Sequence, residues 1–155
     1  MAGDLLLGID IGTYSAKGVL CTPGGDVLAT ATIEHDLSIP RPGWAEHDPE
    51  RIWWGECASL CRQLLAGQYR GDDVGAVAVS AIGPCLLPVD HDGRPLRPGI
   101  LYGIDTRAAE EIAWLNKHIG EEAIFALGGM ALTTQAVGPK IVWLRVHEPA
   151  NYARV

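Results

Sequence analysis

An α/β fold is predicted by three features: short apolar runs parted by turn residues at the start, an amphipathic stretch after Asp48, and further strand-like runs beyond it. No internal repeat or low-complexity tract interrupts this mixture. The 155 residues suffice for one compact domain with its own core, and 48% hydrophobic with 20% charged residues is an ordinary globular composition.

Leu5-Leu6-Leu7-Gly8-Ile9-Asp10 is an apolar run ending in a carboxylate and reads as a buried strand. Ile11-Gly12-Thr13-Tyr14-Ser15 is turn-like, and Ala16-Lys17-Gly18-Val19-Leu20-Cys21 returns as a second strand. Pro23-Gly24-Gly25-Asp26 turns again into the alternating run Val27-Leu28-Ala29-Thr30-Ala31-Thr32-Ile33. The opening is therefore a three-stranded antiparallel meander. A polar, proline-containing loop follows, in which Asp48 is placed to cap a helix and Pro49 suits its first turn. Trp53, Cys57, Leu60, Cys61 and Leu64 share one helical face, which should cover the meander, and Gly67 and Gly71 end the helix. Val74-Gly75-Ala76-Val77-Ala78-Val79-Ser80 reads as a buried strand and Cys85-Leu86-Leu87-Pro88-Val89-Asp90 as another, with a turn at His91-Asp92-Gly93-Arg94. Thr106 is placed to cap a second helix carrying Ala108, Ile112, Leu115 and Ile119 on one face, and Pro139 to start a third through Trp143 and Leu144.

A net charge of -7 disfavours a broad electrostatic hold on nucleic acid or an anionic membrane, so neither is expected as a partner. A local anion site remains compatible with it. No apolar run is long enough to cross a bilayer, and Met1-Ala2-Gly3-Asp4 lacks the basic region of a signal peptide. Cys57 and Cys61, one helical turn apart, admit a metal or disulfide reading, but on an apolar face they are expected to be buried thiols. With Cys21 and Cys85 scattered, this points to a reducing cytoplasm. The five histidines share no ligand spacing and are read as non-ligands. Trp53, Trp54, Trp114 and Trp143 are helix-face residues expected to pack.

The stretch Gly8-Ile9-Asp10-Ile11-Gly12-Thr13-Tyr14-Ser15-Ala16-Lys17 carries the chemistry. A carboxylate ending a buried strand needs a cation or donors to meet it. Gly12 permits a turn whose backbone N–H groups approach an anion closely, Thr13 and Ser15 add hydroxyls, and Lys17 brings an ammonium. Acid for a metal, donors for oxygens and a cation for residual charge suit a nucleotide's terminal phosphates. An ordinary hairpin with Asp10 bonded to turn amides is the alternative. Neither GxxxxGK[ST] nor GxGxxG occurs, which argues against a Walker-type NTPase and a dinucleotide fold.

The meander and hairpin resemble the phosphate motif of the actin, Hsp70 and sugar-kinase superfamily, with its ribonuclease-H-like core. Gly43-Trp44-Ala45-Glu46-His47-Asp48-Pro49 is similar to the Gly-Trp-x-Glu-x-Asp-Pro segment of the FGGY carbohydrate kinases. Asp105-Thr106-Arg107-Ala108 resembles that family's Asp-x-Arg-x step into a helix, and Pro139-Lys140-Ile141-Val142-Trp143-Leu144 continues in register. The resemblance, which is xylulokinase-like, implies an actin-like ATPase domain with a mixed sheet and flanking helices. It also implies ATP and Mg2+ as cofactors and transfer of a phosphoryl group to a ketose or polyol hydroxyl. Asp10 inherits the metal-nucleotide role, Gly12, Thr13 and Ser15 phosphate contact, and Lys17 a position that is Lys or Arg in relatives. Tyr102, Asp105, Arg107 and Gln135 are the implied sugar contacts.

Two departures stand out. Ala81-Ile82-Gly83-Pro84-Cys85 lacks the Arg-Glu pair of glycerol kinases and the Met-His-Gly of xylulokinases, and Tyr102-Gly103-Ile104-Asp105 replaces Trp-x-Asp. Family members are also much longer. Residues 1–155 correspond to the N-terminal part of domain I, without the rest of that domain, the C-terminal domain or the catalytic Asp, so this chain alone is expected to be inactive. Uncovered apolar surface then predicts self-association, as a homodimer. The competing readings are a non-catalytic phosphate- or partner-binding module of the same fold and, more distantly, an Hsp70- or actin-like ATPase.

Overall fold

Alternation along the opening strands decides which way they face. The computed structural model describes residues 3–155, so the expectation drawn from Met1-Ala2 lies outside the described residues. Strand β1 (Leu5–Ile11) buries Leu7, Ile9 and Ile11 and leaves Leu6 and Asp10 exposed. Strand β2 (Ser15–Cys21) buries Ala16, Gly18 and Leu20 and exposes Lys17. Strand β3 (Val27–Glu34) completes the antiparallel meander. Strand β5 (Val74–Ala81) then joins parallel to β1, giving a mixed four-stranded sheet in the order β3-β2-β1-β5.

A π-helical turn at Pro49–Gly55 leads into α1 (Glu56–Leu64), which packs on β2, β3 and β1. Leu60 and Leu64 are buried against the sheet, with Trp53, Cys57 and Cys61 partly buried around them, as the helical spacing predicts. Gly18 is what lets the helix come so close. A Cβ there would stand 2.8 Å from Leu64 Cδ1 and 3.3 Å from Ile9 Cδ1.

The chain divides into two compact units, one made of residues up to Leu37 with Glu50–Ile82, the other of Ser38–Pro49 with Gly83–Val155. The second contains the two-stranded pair β4 (Glu46–His47) and β6 (Gly99–Ile100), and helices α2 (Ala109–Ile119), α3 (Glu121–Gly128), α4 (Val137–His147) and α5 (Pro149–Tyr152). Its core gathers Ile100, Ala108, Trp143 and Leu144, with Trp44 and Leu86 packed alongside.

Several expectations are corrected. The run 74–80 is a strand but not a buried one: α1 does not extend over β5, so Val77 is 57% and Val79 59% exposed on the sheet's outer strand. The run 85–90 forms only single bridges, Leu86 to Ile100 and Val89 to Pro95. Thr106 does not cap α2; its hydroxyl donates to the Gly43 carbonyl at 3.2 Å. Trp54 and Trp114 stand 72% and 52% exposed and do not serve packing as Trp143 does. The four cysteines are free and half-buried. Among the described residues, no helix is long and apolar enough to cross a membrane.

Two outcomes follow from this packing. Gly18→Ala should overfill the α1–sheet contact and lower stability by about 1–3 kcal/mol, read by urea unfolding; unchanged stability would show that α1 can lift away freely. An apolar outer strand invites pairing, so the chain by itself should self-associate in light scattering across a concentration series. Val79→Lys should restore the monomer, and a wild-type chain that stays monomeric at high concentration would refute the expectation.

Candidate functional site

The register of the sheet assembles the first group of candidates. Asp10 lies opposite Lys17 across the β1–β2 pair and beside Ser80 across the β1–β5 pair. Partners in register project to one side of a sheet, and all three residues are exposed. They share the face turned away from α1. There they border a shallow groove of about 410 Å³ whose lining includes Gly8, Val19 and Ala78. The floor is thus small and apolar, and the rim supplies a carboxylate, an ammonium and a hydroxyl. Ser80 was not singled out from the sequence, because a serine ending an apolar strand carries no signal until the register is known.

The hairpin tip spans residues 12–14. The Gly12 N–H donates to the Ser15 carbonyl at 2.9 Å, so this amide closes the turn. Glycine is required for space: a Cβ at Gly12 would stand 2.9 Å from the Ser15 oxygen. Thr13 and Ser15 are half-buried on the same tip. The tip is braced from behind. The His35 N–H donates to the Tyr14 carbonyl at 3.0 Å, and the His35 ring is bonded through Nδ1 to Glu56 Oε2 at 2.8 Å in the first turn of α1.

The sugar candidates all lie in the second unit, and they divide into two kinds. The Asp105 and Arg107 side chains are completely closed to solvent. Asp105 accepts the Ala45 N–H at 2.7 Å, the Arg107 N–H at 3.1 Å, and Arg107 Nε and Nη2 at 3.0 and 2.7 Å. Arg107 Nη2 also lies 2.8 Å from Glu46 Oε1, and Arg97 bridges that carboxylate to Glu148. The Arg107 guanidinium carbon sits 4.0 Å from the Trp44 ring centre, a cation–π contact, and its buried Nη1 has no hydrogen-bond partner among the described residues. With every exposed surface gone, Asp105 and Arg107 frame the unit and present no open surface to the sugar expected of them. The Arg97 side chain is pushed below the ordinary guanidinium range by burial, and Glu46 and Glu148 oppose that shift.

Tyr102 and Gln135 remain. The Asp105 N–H donates to the Tyr102 carbonyl at 2.9 Å, making a turn over residues 102–105. Gln135 is exposed, and its side chain lies against the turn so closely that a Cβ at Gly103 would be 2.6 Å from Nε2. Gln135 thus lies against the turn that Tyr102 begins. Glu46 and Arg97 are the framework residues that sequence reasoning did not single out; the Gly-Trp-x-Glu spacing was the available signal for Glu46, and Arg97 had none.

Similarity to known proteins covers nearly the whole chain. Residues 5–155 match the N-terminal domain of the FGGY family of carbohydrate kinases. The chain is 31% identical over 150 residues to a xylulose kinase of Staphylococcus xylosus, covering 97% of this chain and 30% of that protein. A glycerol kinase of Beutenbergia cavernae is 32% identical over 142 residues, covering 91% and 28%. The crystal structure of xylulose kinase from Rhodospirillum rubrum superposes with a TM-score of 0.90 at 34% identity, over 97% of this chain and 31% of that one. The chain thus spans about 30% of the curated relatives it matches first, and the mixed sheet with flanking helices is the actin-like, ribonuclease-H-like fold of these kinases.

The buried ion network generates a stability prediction. Glu46→Ala leaves Arg97 and Arg107 short of a buried counter-charge and should cost about 3–5 kcal/mol in denaturant unfolding. A loss below about 1 kcal/mol, the range of exposed pairs, would contradict the framework role.

Proposed function

Because the chain belongs to the FGGY family of carbohydrate kinases, we propose that the protein it represents transfers the terminal phosphoryl group of ATP to a hydroxyl of a ketose or polyol. The observation that carries the reading is the shared exposed face on which register sets Asp10, Lys17 and Ser80 side by side next to the hairpin tip. In this reading residues 1–155 are the N-terminal part of domain I, and the rest of that domain and the C-terminal domain belong to the remainder of the protein.

The residues present fit magnesium-bound ATP. An exposed carboxylate is the hard oxygen ligand such a metal takes, which suits Asp10. The Thr13 and Ser15 hydroxyls and the Lys17 ammonium are donors for phosphate oxygens, and Gly12 contributes close approach through its missing Cβ. Bound Mg-ATP supplies the phosphoryl group and a divalent charge at its oxygens. Lys17 offsets part of the remaining negative charge, and the rigid tip, held by His35, keeps the hydroxyls in place without reorganisation. Tyr102 and Gln135 orient the sugar. In this reading the catalytic base lies in the remainder of the protein.

Neither nucleic acid nor a membrane surface is assigned as a partner, in keeping with the net charge of -7. The four free thiols support a cytoplasmic setting. Pairing along β5 is the route we assign to a homodimer of the isolated chain.

ADP release measured with the whole protein against a panel of ketoses and polyols should show sugar-dependent turnover. Asp10→Ala should lower kcat/KM by about 10²–10³-fold, the scale for removing one preorganised charge-stabilising group. Residues 1–155 alone should show no turnover. Absence of activity with every sugar would favour a non-catalytic module, and robust turnover by residues 1–155 would refute the fragment reading.

A further inference from the structure

Lys140 is the largest of the fully buried side chains, 1% exposed, on the first turn of α4. Burying an ammonium is costly when a methionine of similar length would fill the same space. Burial does push the Lys140 ammonium below its usual range, and the nearby Asp105 carboxylate opposes that shift. Helix α4 is already anchored by Trp143 and Leu144, so a cation is not needed to dock it. What the cation does have is one hydrogen bond among the described residues: Nζ donates to the Thr134 carbonyl at 2.6 Å.

That carbonyl belongs to a strap, residues 133–135, which clasps the turn at residues 102–105. On one side the Thr134 hydroxyl donates to the Gly103 carbonyl at 2.7 Å. On the other, the Gln135 amide lies against Gly103, where a Cβ would stand 2.6 Å from Nε2. Fixing the Thr134 carbonyl therefore fixes both halves of the clasp, and with them the relative placement of Tyr102 and Gln135.

We propose that Lys140 is a positioning residue for polyol binding, holding the strap so that Tyr102 and Gln135 meet the substrate hydroxyls in a preset arrangement. The inference rests on the sugar-kinase reading above. It assigns the affinity for the sugar, and not the phosphoryl-transfer step, to a residue that touches no substrate. Preorganisation of this kind acts by sparing the ordering cost on binding.

The experiment uses the whole protein and two variants, Lys140→Met and Thr134→Val. Both should raise the sugar KM about tenfold while kcat and the ATP KM hold, the pattern of lost uniform binding. Amide hydrogen exchange in residues 102–105 and 133–136 should quicken in both, with β1 and β2 unchanged. Adding Lys140→Met to Gln135→Ala should raise the sugar KM by less than about twofold more, because coupled residues are not additive. Unchanged exchange in both segments would overturn the clasp whatever the activity. Quickened exchange with an unchanged sugar KM, or fully multiplicative effects with Gln135→Ala, would overturn the binding role. If the wild-type protein phosphorylates no sugar, the kinase reading and the sugar role fall together, while the exchange result still decides whether Lys140 holds the strap.

Discussion

The register between β1 and β2 is the constraint on which the candidate phosphate site depends. Leu7, Ile9 and Ile11 must face α1 together with Ala16, Gly18 and Leu20, and the observed pairing satisfies both strands. A slip of one residue would turn either set into solvent. The same pairing sets Asp10 opposite Lys17 on the other face. Hydrophobic burial on one side of the sheet thus places charge on the other, and no direct bond between the acid and the amine is needed to do it.

The second unit uses charge differently. Glu46 lies between Arg97 and Arg107, and Asp105 holds Arg107 to the backbone at Ala45. This explains why the Gly-Trp-x-Glu segment and the Asp-x-Arg step belong together although about sixty residues part them. The glycine is part of the same device. Gly43 adopts a φ of +77°, and a Cβ on it would stand 2.5 Å from the Thr106 hydroxyl oxygen, so the two segments could not meet with any other residue there. A buried network of this type is weak evidence for stability in itself, since an apolar replacement of the whole set could pack as well. Its effect is on placement: it sets the entry to α2 and the turn at residues 102–105 relative to the β4–β6 pair.

How far the sequence could be read follows from the range of each interaction. The meander and α1 were legible because alternation and helical spacing are local, and Leu60 and Leu64 fall where the period places them. The hairpin site was legible for the same reason, since Asp10, Gly12 and Lys17 are close along the chain. The environment of β5 was not: an apolar run implies cover on both faces only if the cover is present, and Val77 and Val79 have none among the described residues. Helix α3 escaped notice because Phe125 and Leu127 are themselves exposed, so no buried stripe marks it. Asp105 and Arg107 are implied as sugar contacts by the Asp-x-Arg resemblance, and their burial was not legible because their partner Glu46 is far away in sequence. The π-helical turn at Pro49–Gly55 has no compositional signature that separates it from an ordinary first turn.

The fate of those two charges bears on how specificity is built. A side chain that grips a hydroxyl must present an open surface, and the Asp105 and Arg107 side chains have none. In the sugar-kinase reading Tyr102 and Gln135 are neutral groups, so their geometry must carry discrimination that their strength cannot. Geometry of that quality needs a backbone fixed by bonds the substrate does not have to make. The Thr134 carbonyl, held by Lys140 on one side while the Thr134 hydroxyl holds Gly103 on the other, is a backbone fixed in that way. In the sugar-kinase reading, the missing Arg-Glu or Met-His-Gly element at residues 81–85 moves the burden of polyol recognition from charge to placement.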